Sequence, residues 1–137
     1  MTPEQADLVR HSFDGMWPVH RKFAATFYRH FFELAPDARR LFPDDMERQH
    51  VKLMDMIAAI VGALDERELF QSIIRQTGRQ HASFGVTPSH YLAFRDALIA
   101  SLEEQFGAEF TPALRQAWLA LYEAVRGEMI KAAQGLA

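Results

Sequence analysis

The stretch Gly78-Arg79-Gln80-His81-Ala82-Ser83-Phe84-Gly85-Val86 decides how the rest of the chain is read. Upstream of it, Phe70, Ile73, Ile74 and Thr77 recur at the spacing of one helical face, and His81 closes that stripe. Gly85 ends the helix, and Thr87-Pro88 opens another. A histidine at the inner end of a helix, aimed at a core rather than at water, has two readings. Either it is a buried residue satisfied by one backbone carbonyl, or its neutral imidazole is a ligand to a metal or a haem. The stripe by itself leaves both open.

Composition narrows the field. A chain of 137 residues is read as one domain, residues 1–137, able to bury roughly two-thirds of its unfolded surface. With 49% hydrophobic and 24% charged residues the composition is that of a soluble globular protein. A net charge of −3 and no basic cluster longer than two residues give no reason to expect nucleic acid or an anionic membrane as partner. Without cysteine there is no disulfide, no thiolate metal site and no covalent haem attachment. The first residues are polar, and no apolar run approaches membrane-spanning length, so a cytoplasmic location is expected. Eleven Phe, six Met and two Trp suit a well-filled helical core, and equally a pocket for a flat hydrophobic cofactor.

Helix punctuation is frequent. Thr2-Pro3-Glu4-Gln5 is a capping box with proline in the first turn, and predicts a helix from Pro3 to Trp17 with Leu8, Phe13, Met16 and Trp17 inward. Pro18 begins a second helix carrying Phe23, Phe27, Tyr28, Phe31 and Phe32, which stops before Pro36. A tight turn then delivers Leu41-Phe42, and Pro43-Asp44-Asp45 is a loop. A third helix spans Met46 to Leu64, with Val51 or His50, Leu53, Met54, Ile57, Ile60, Val61 and Leu64 inward. Asp65 to Glu68 caps the helix that reaches His81. Thr87-Pro88 caps the next, with Tyr91, Phe94, Leu98, Leu102 and Phe106 inward and Gly107 as terminator. Thr111-Pro112 caps the last, with Leu114, Trp118, Leu121, Tyr122, Val125 and Met129 inward. No alternating strand pattern or internal repeat interrupts the series, so the fold is expected to be all-α, with seven to eight helices and short connections.

The sequence holds no Gly-rich phosphate loop, no Gly-x-Ser-x-Gly and no His-Glu-x-x-His. Asp44/Asp45 and Glu103/Glu104 are adjacent pairs whose side chains splay apart, and His11, His20 and His30 sit among charged neighbours; all read as surface. What remains is a polar set within apolar helices: Tyr28, Gln49, His50, His81, His90 and Tyr91. Taken singly, each is an ordinary core-edge group with one hydrogen bond. Taken together, Tyr28 and Gln49 form a converging donor pair opposite a candidate ligand, His81.

These residues, in order, resemble the globin family. The carriers are Thr26-Phe27-Tyr28, Pro36 with Leu41-Phe42, the run Gln49 to Met54, Gly78 to His81, Gly85-Val86, His90-Tyr91, and Phe110-Thr111-Pro112 with Ala117-Trp118 and Leu121-Tyr122. The likeness covers nearly the whole chain. Within the family it resembles bacterial single-domain globins and flavohaemoglobin haem domains, and over the last two helices neuroglobins.

The resemblance implies a globin fold around a buried, non-covalent haem b, with His81 as the proximal iron ligand. The other ring nitrogen of His81 would be held by a backbone carbonyl near Thr77. Phe42 matches the phenylalanine packed on the haem face, Pro36 the proline that opens the short third helix, and Leu53 the distal apolar gate. Tyr28 and Gln49 match the distal polar pair of bacterial globins, and Lys52, Val86, Tyr91 and Phe94 match positions at the haem edge or proximal wall. It further implies reversible O2 binding, and CO and NO binding, at ferrous iron. Two hydrogen-bond donors at the bound gas, each worth roughly 1–3 kcal/mol, imply high O2 affinity and slow release. His50 is the alternative distal residue. It would be paired with Met54 and able to ligate iron, which would make the protein a six-coordinate redox or gas sensor; the Lys52-Leu53-Met54 run favours Gln49. Two departures from the flavohaemoglobin pattern matter. The chain ends without a reductase domain, so NO dioxygenation or peroxidase-like detoxification would use an external reductase. The position of the acid that pairs with a proximal tyrosine such as Tyr91 falls on Ala133.

Overall fold

In a computed structural model the chain forms an all-α fold, as its punctuation predicts. The structure describes residues 1–83 and 87–133, with side chains for 1–80 and 87–132. Among these, six α-helices appear in order, with no strand: α1 (Pro3–Met16), α2 (His20–Leu34), α3 (Glu47–Gly62), α4 (Arg67–Ser83), α5 (Pro88–Phe106) and α6 (Pro112–Ala133). Three 3-10 segments, Trp17–Val19, Pro36–Leu41 and Gly107–Glu109, make the corners.

Local chemistry sets the boundaries. At α1 the Thr2 hydroxyl accepts from the Gln5 amide at 3.1 Å while the Gln5 side chain accepts from the Thr2 amide at 2.9 Å, so two otherwise orphaned donors are satisfied. Its buried row is Ala6, Val9, Phe13 and Met16. Leu8, expected inward, lies one residue and therefore about 100° from Val9, and is 38% exposed. Trp17 is also 38% exposed rather than inward: Pro18 turns the chain into the 3-10 corner, where the indole stacks on His20 with centroids 4.0 Å apart. Gly107 ends α5 at φ 55°, a conformation that favours glycine.

α6 runs between α1 and α4, and α2 crosses α5. At the first of these contacts the buried Trp118 Nε1 donates to Ser12 Oγ at 3.0 Å, and Ser12 Oγ donates to the Val9 carbonyl at 3.0 Å. Against α4, α6 comes so close at Gly78 that a Cβ there would stand 2.8 Å from the Met129 carbonyl oxygen and 3.1 Å from Ala132 Cβ. The glycine in front of His81 therefore permits backbone contact between the two helices. At the α2–α5 crossing Phe27 packs on Phe94, and Arg29 bridges to Glu104 at the rim, holding that carboxyl below its ordinary range. Glu103 pairs instead with Arg115, so the two adjacent acids do splay apart on the surface.

The 3-10 segment Pro36–Leu41 is tied to α5 by a buried histidine. The Thr87 amide donates to His90 Nδ1 at 3.1 Å, which leaves the proton on Nε2, and Nε2–H donates to Asp37 Oδ2 at 3.0 Å. That hydrogen bond holds the Asp37 carboxyl below its ordinary range. One imidazole thus caps a helix and anchors the segment that delivers Phe42.

Candidate functional site: a distal aromatic pocket

Three elements converge on the Tyr28 phenol. α2 buries Tyr28 because it lies three residues before the inward Phe31 and so on the same face of the helix, whereas Arg29, the next residue, is exposed. Pro36 stops α2, and the 3-10 segment it opens ends at Phe42, in extended backbone. α3 then presents Gln49, His50 and Leu53.

Around the phenol ring stand Phe42 at 5.6 Å and Phe32 at 5.7 Å between centroids, with His50 stacked on its face at 5.4 Å and 17°. The aromatic wall continues from Phe31 to Phe94, then to Tyr122. Gln49 Nε2 donates to Tyr28 Oη at 3.4 Å. Leu53, four residues on and hence on the same helical face, is buried.

Burial pushes the Tyr28 pKa up to about 12, so the group is a neutral phenol at any physiological pH. Its oxygen already accepts from Gln49, and no protein acceptor for its own proton is found among the described residues. A nearly buried hydroxyl of this kind is free to donate to a ligand. Phe42 packs against its ring, and Leu53 and Phe94 belong to the apolar core that continues from it. Such a donor set suits a small polar gas held on a flat hydrophobic cofactor.

The sequence-predicted residues fall into groups. Tyr28, Phe42, Gln49 and Leu53 are brought together, and His50 joins them. Phe94 and Tyr91 lie on the α5 side, both half-buried; the Tyr91 carbonyl accepts from the Tyr122 hydroxyl, and burial raises the Tyr91 pKa. Lys52 is exposed, pointing away from Leu53. Of the two inward candidates at the start of α3, Val51 is 52% exposed and His50 half-buried. His81 lies in the last turn of α4, but its side chain is outside the described residues, as is Val86. Among the described residues no three His, Cys, Asp or Glu side chains gather as a metal site, and no helix is long and apolar enough to cross a membrane.

Sequence reasoning placed His90 in the polar set but gave it no task. The signal was present: His90 is the third residue after the Thr87 cap, where Glu or Gln closes a capping box, and an imidazole nitrogen accepts the same bond.

Comparison with known proteins gives the following. A family model described as Globin matches residues 25–129. Neuroglobin from Tetraodon nigroviridis is 28% identical over 94% of this chain and 90% of its own length. A flavohemoprotein from Vibrio cholerae is 25% identical over 89% of the chain, which spans only 32% of that longer protein. Among solved structures, an engineered carbene transferase made from a candidate nitric oxide dioxygenase of Rhodothermus marinus superposes with a TM-score of 0.85 and 30% identity, covering 98% of this chain and 94% of its own.

Proposed function

The chain belongs to the globin family, whose members bind small gases at a haem, and from that premise we propose that it is a haem b protein that binds O2 reversibly, and CO and NO, with high O2 affinity. The single observation that carries this reading is the buried Tyr28 hydroxyl, oriented by Gln49 and with its own proton uncommitted among the described residues. The haem supplies an iron centre at which a diatomic gas binds. His81, one turn beyond Gly78 at the end of α4, would hold that iron. Tyr28 donates to the gas, Gln49 supports the phenol and offers a second amide proton, and Leu53 and Phe42 keep bulk water from the pocket. Lys52, Val86, Tyr91 and Phe94 line the haem edge and the proximal wall.

Polarised O2 gains more from these donors than CO does, since a hydrogen bond strengthens with the charge on its acceptor. The protein therefore favours O2 and releases it slowly. Titration with hemin tests the first half of this reading. A stoichiometric Soret band is expected and is abolished in His81→Leu; an O2 dissociation rate as fast as that of a pocket without polar donors would overturn the second half.

Two observations favour further readings. Likeness to a candidate nitric oxide dioxygenase and to a flavohemoprotein supports NO dioxygenation or peroxidase-like detoxification with a separate reductase; NO consumption under a reducing supply distinguishes this from storage. The His50 ring on the face of Tyr28, with the neuroglobin likeness, supports a six-coordinate redox or gas sensor. The ferrous spectrum separates that state from the five-coordinate one.

A further inference from the structure

The half-buried Arg39 has both terminal nitrogens of its guanidinium engaged at the loop that presents Phe42. Nη1 donates to the carbonyl oxygens of Phe42 at 3.3 Å and Pro43 at 2.8 Å, and Nη2 donates to the Asp44 carbonyl at 3.2 Å. Three successive carbonyls thus turn toward one cation, while the Phe42 amide donates back to the Arg39 carbonyl at 3.1 Å. The guanidinium carbon of Arg39 lies over the Phe32 ring, 5.3 Å from its centroid. Phe32 in turn contacts Phe42 at 5.4 Å and Tyr28 at 5.7 Å.

We infer that Arg39 is a positioning residue for the gas-binding pocket: it fixes the Phe42–Asp44 loop to α2 through Phe32, and so sets the wall against which haem and the Tyr28 donor are held. This rests on the haem reading above. A planar fork with five donors can meet three carbonyls and stack on a ring at once; a lysine ammonium has the charge but not the fork. Arg40, next on the same segment, is exposed and makes none of these bonds, which supplies an internal control.

The test compares Arg39→Met, Arg39→Lys and Arg40→Met with the unaltered protein. In the haem-free protein, backbone amide exchange across residues 42–45 is expected to quicken in both Arg39 variants and stay unchanged in Arg40→Met. With haem, loss to an excess of a haem-scavenging protein is expected to quicken about tenfold in Arg39→Met, the equivalent of one lost charge-assisted hydrogen bond. The C–O stretch of the ferrous CO form is expected to be single in the parent and to broaden or split in Arg39→Met as Tyr28 samples more than one orientation. Arg39→Lys should recover little of either, and if Arg39→Met does not fold it decides by the same readouts. Quicker exchange with unchanged haem loss and an unchanged C–O band would overturn the proposal, since Arg39 would then only tie its own loop. If the haem reading itself is wrong, the parent protein takes up no haem and no Soret band appears in any of the four.

Discussion

Tyr28 is the donor of the proposed pocket, and its behaviour follows from burial. Replacing it with phenylalanine keeps the aromatic packing against Phe32 and Phe42 but removes the donor. O2 dissociation is expected to quicken by roughly one to two decades in Tyr28→Phe, with CO dissociation changed far less, as read by stopped-flow ligand replacement. The same phenol makes the fold sensitive to alkali. The folded protein keeps this proton to about pH 12, whereas the unfolded chain loses it near 10.0. Between those values the folded state binds more protons, so stability is complete below pH 10 and falls as pH rises through 12, by on the order of 3 kcal/mol. Denaturant melts of Tyr28→Phe over that range should show a correspondingly smaller fall. At the head of α3, Gln49→Leu is expected to quicken O2 release while His50→Leu leaves it nearly unchanged; the opposite ranking would make His50 the distal residue. Sequence pattern found Tyr28 because it sits between two inward phenylalanines, and failed at Leu8 and Trp17, where hydrophobicity alone does not say which of two neighbouring positions a tertiary partner covers.

At the scale of elements, the caps were legible and the ties between elements were not. Thr2, Thr87 and Thr111 announce helices through bonds made within four residues, which any reader of the chain can count. The bridge from His90 to Asp37 joins residues 53 positions apart, and nothing in either neighbourhood names the other. Asp37 owes its lowered pKa to that bridge, so its share of stability is complete above its ordinary value of 3.8 and is lost as pH falls below it. Acid titrations should find His90→Gln less dependent on pH in that range than the parent, and its Pro36–Leu41 amides more rapidly exchanging. The α4–α6 contact makes a steric prediction. Gly78→Ala places a methyl against Met129 backbone and is expected to destabilise the protein by about 1–3 kcal/mol, measured by urea unfolding, although alanine is the better helix former.

For the whole molecule, the all-α architecture and the order of its helices followed from periodicity, while the placement of helices against one another did not. A repeated apolar face says that a helix is covered; it does not say by which neighbour. The likeness of the chain to a known family supplied what periodicity lacks, because a series of residues spread over the whole chain carries information about pairing that no single window holds. One consequence is thermodynamic. A ligand that binds only the folded protein stabilises it by mass action, roughly 4 kcal/mol at a thousand times its dissociation constant, so haem at that excess is expected to raise Tm by on the order of 10 °C. Calorimetry of the protein with and without hemin checks this, and His81→Leu should lose the increment.

The close approach at Gly78 has a mechanical side. With the Met129 backbone directly behind Gly78, α4 has no room to move closer to α6 at that point. The helix that carries His81 is therefore braced from behind by the backbone of α6.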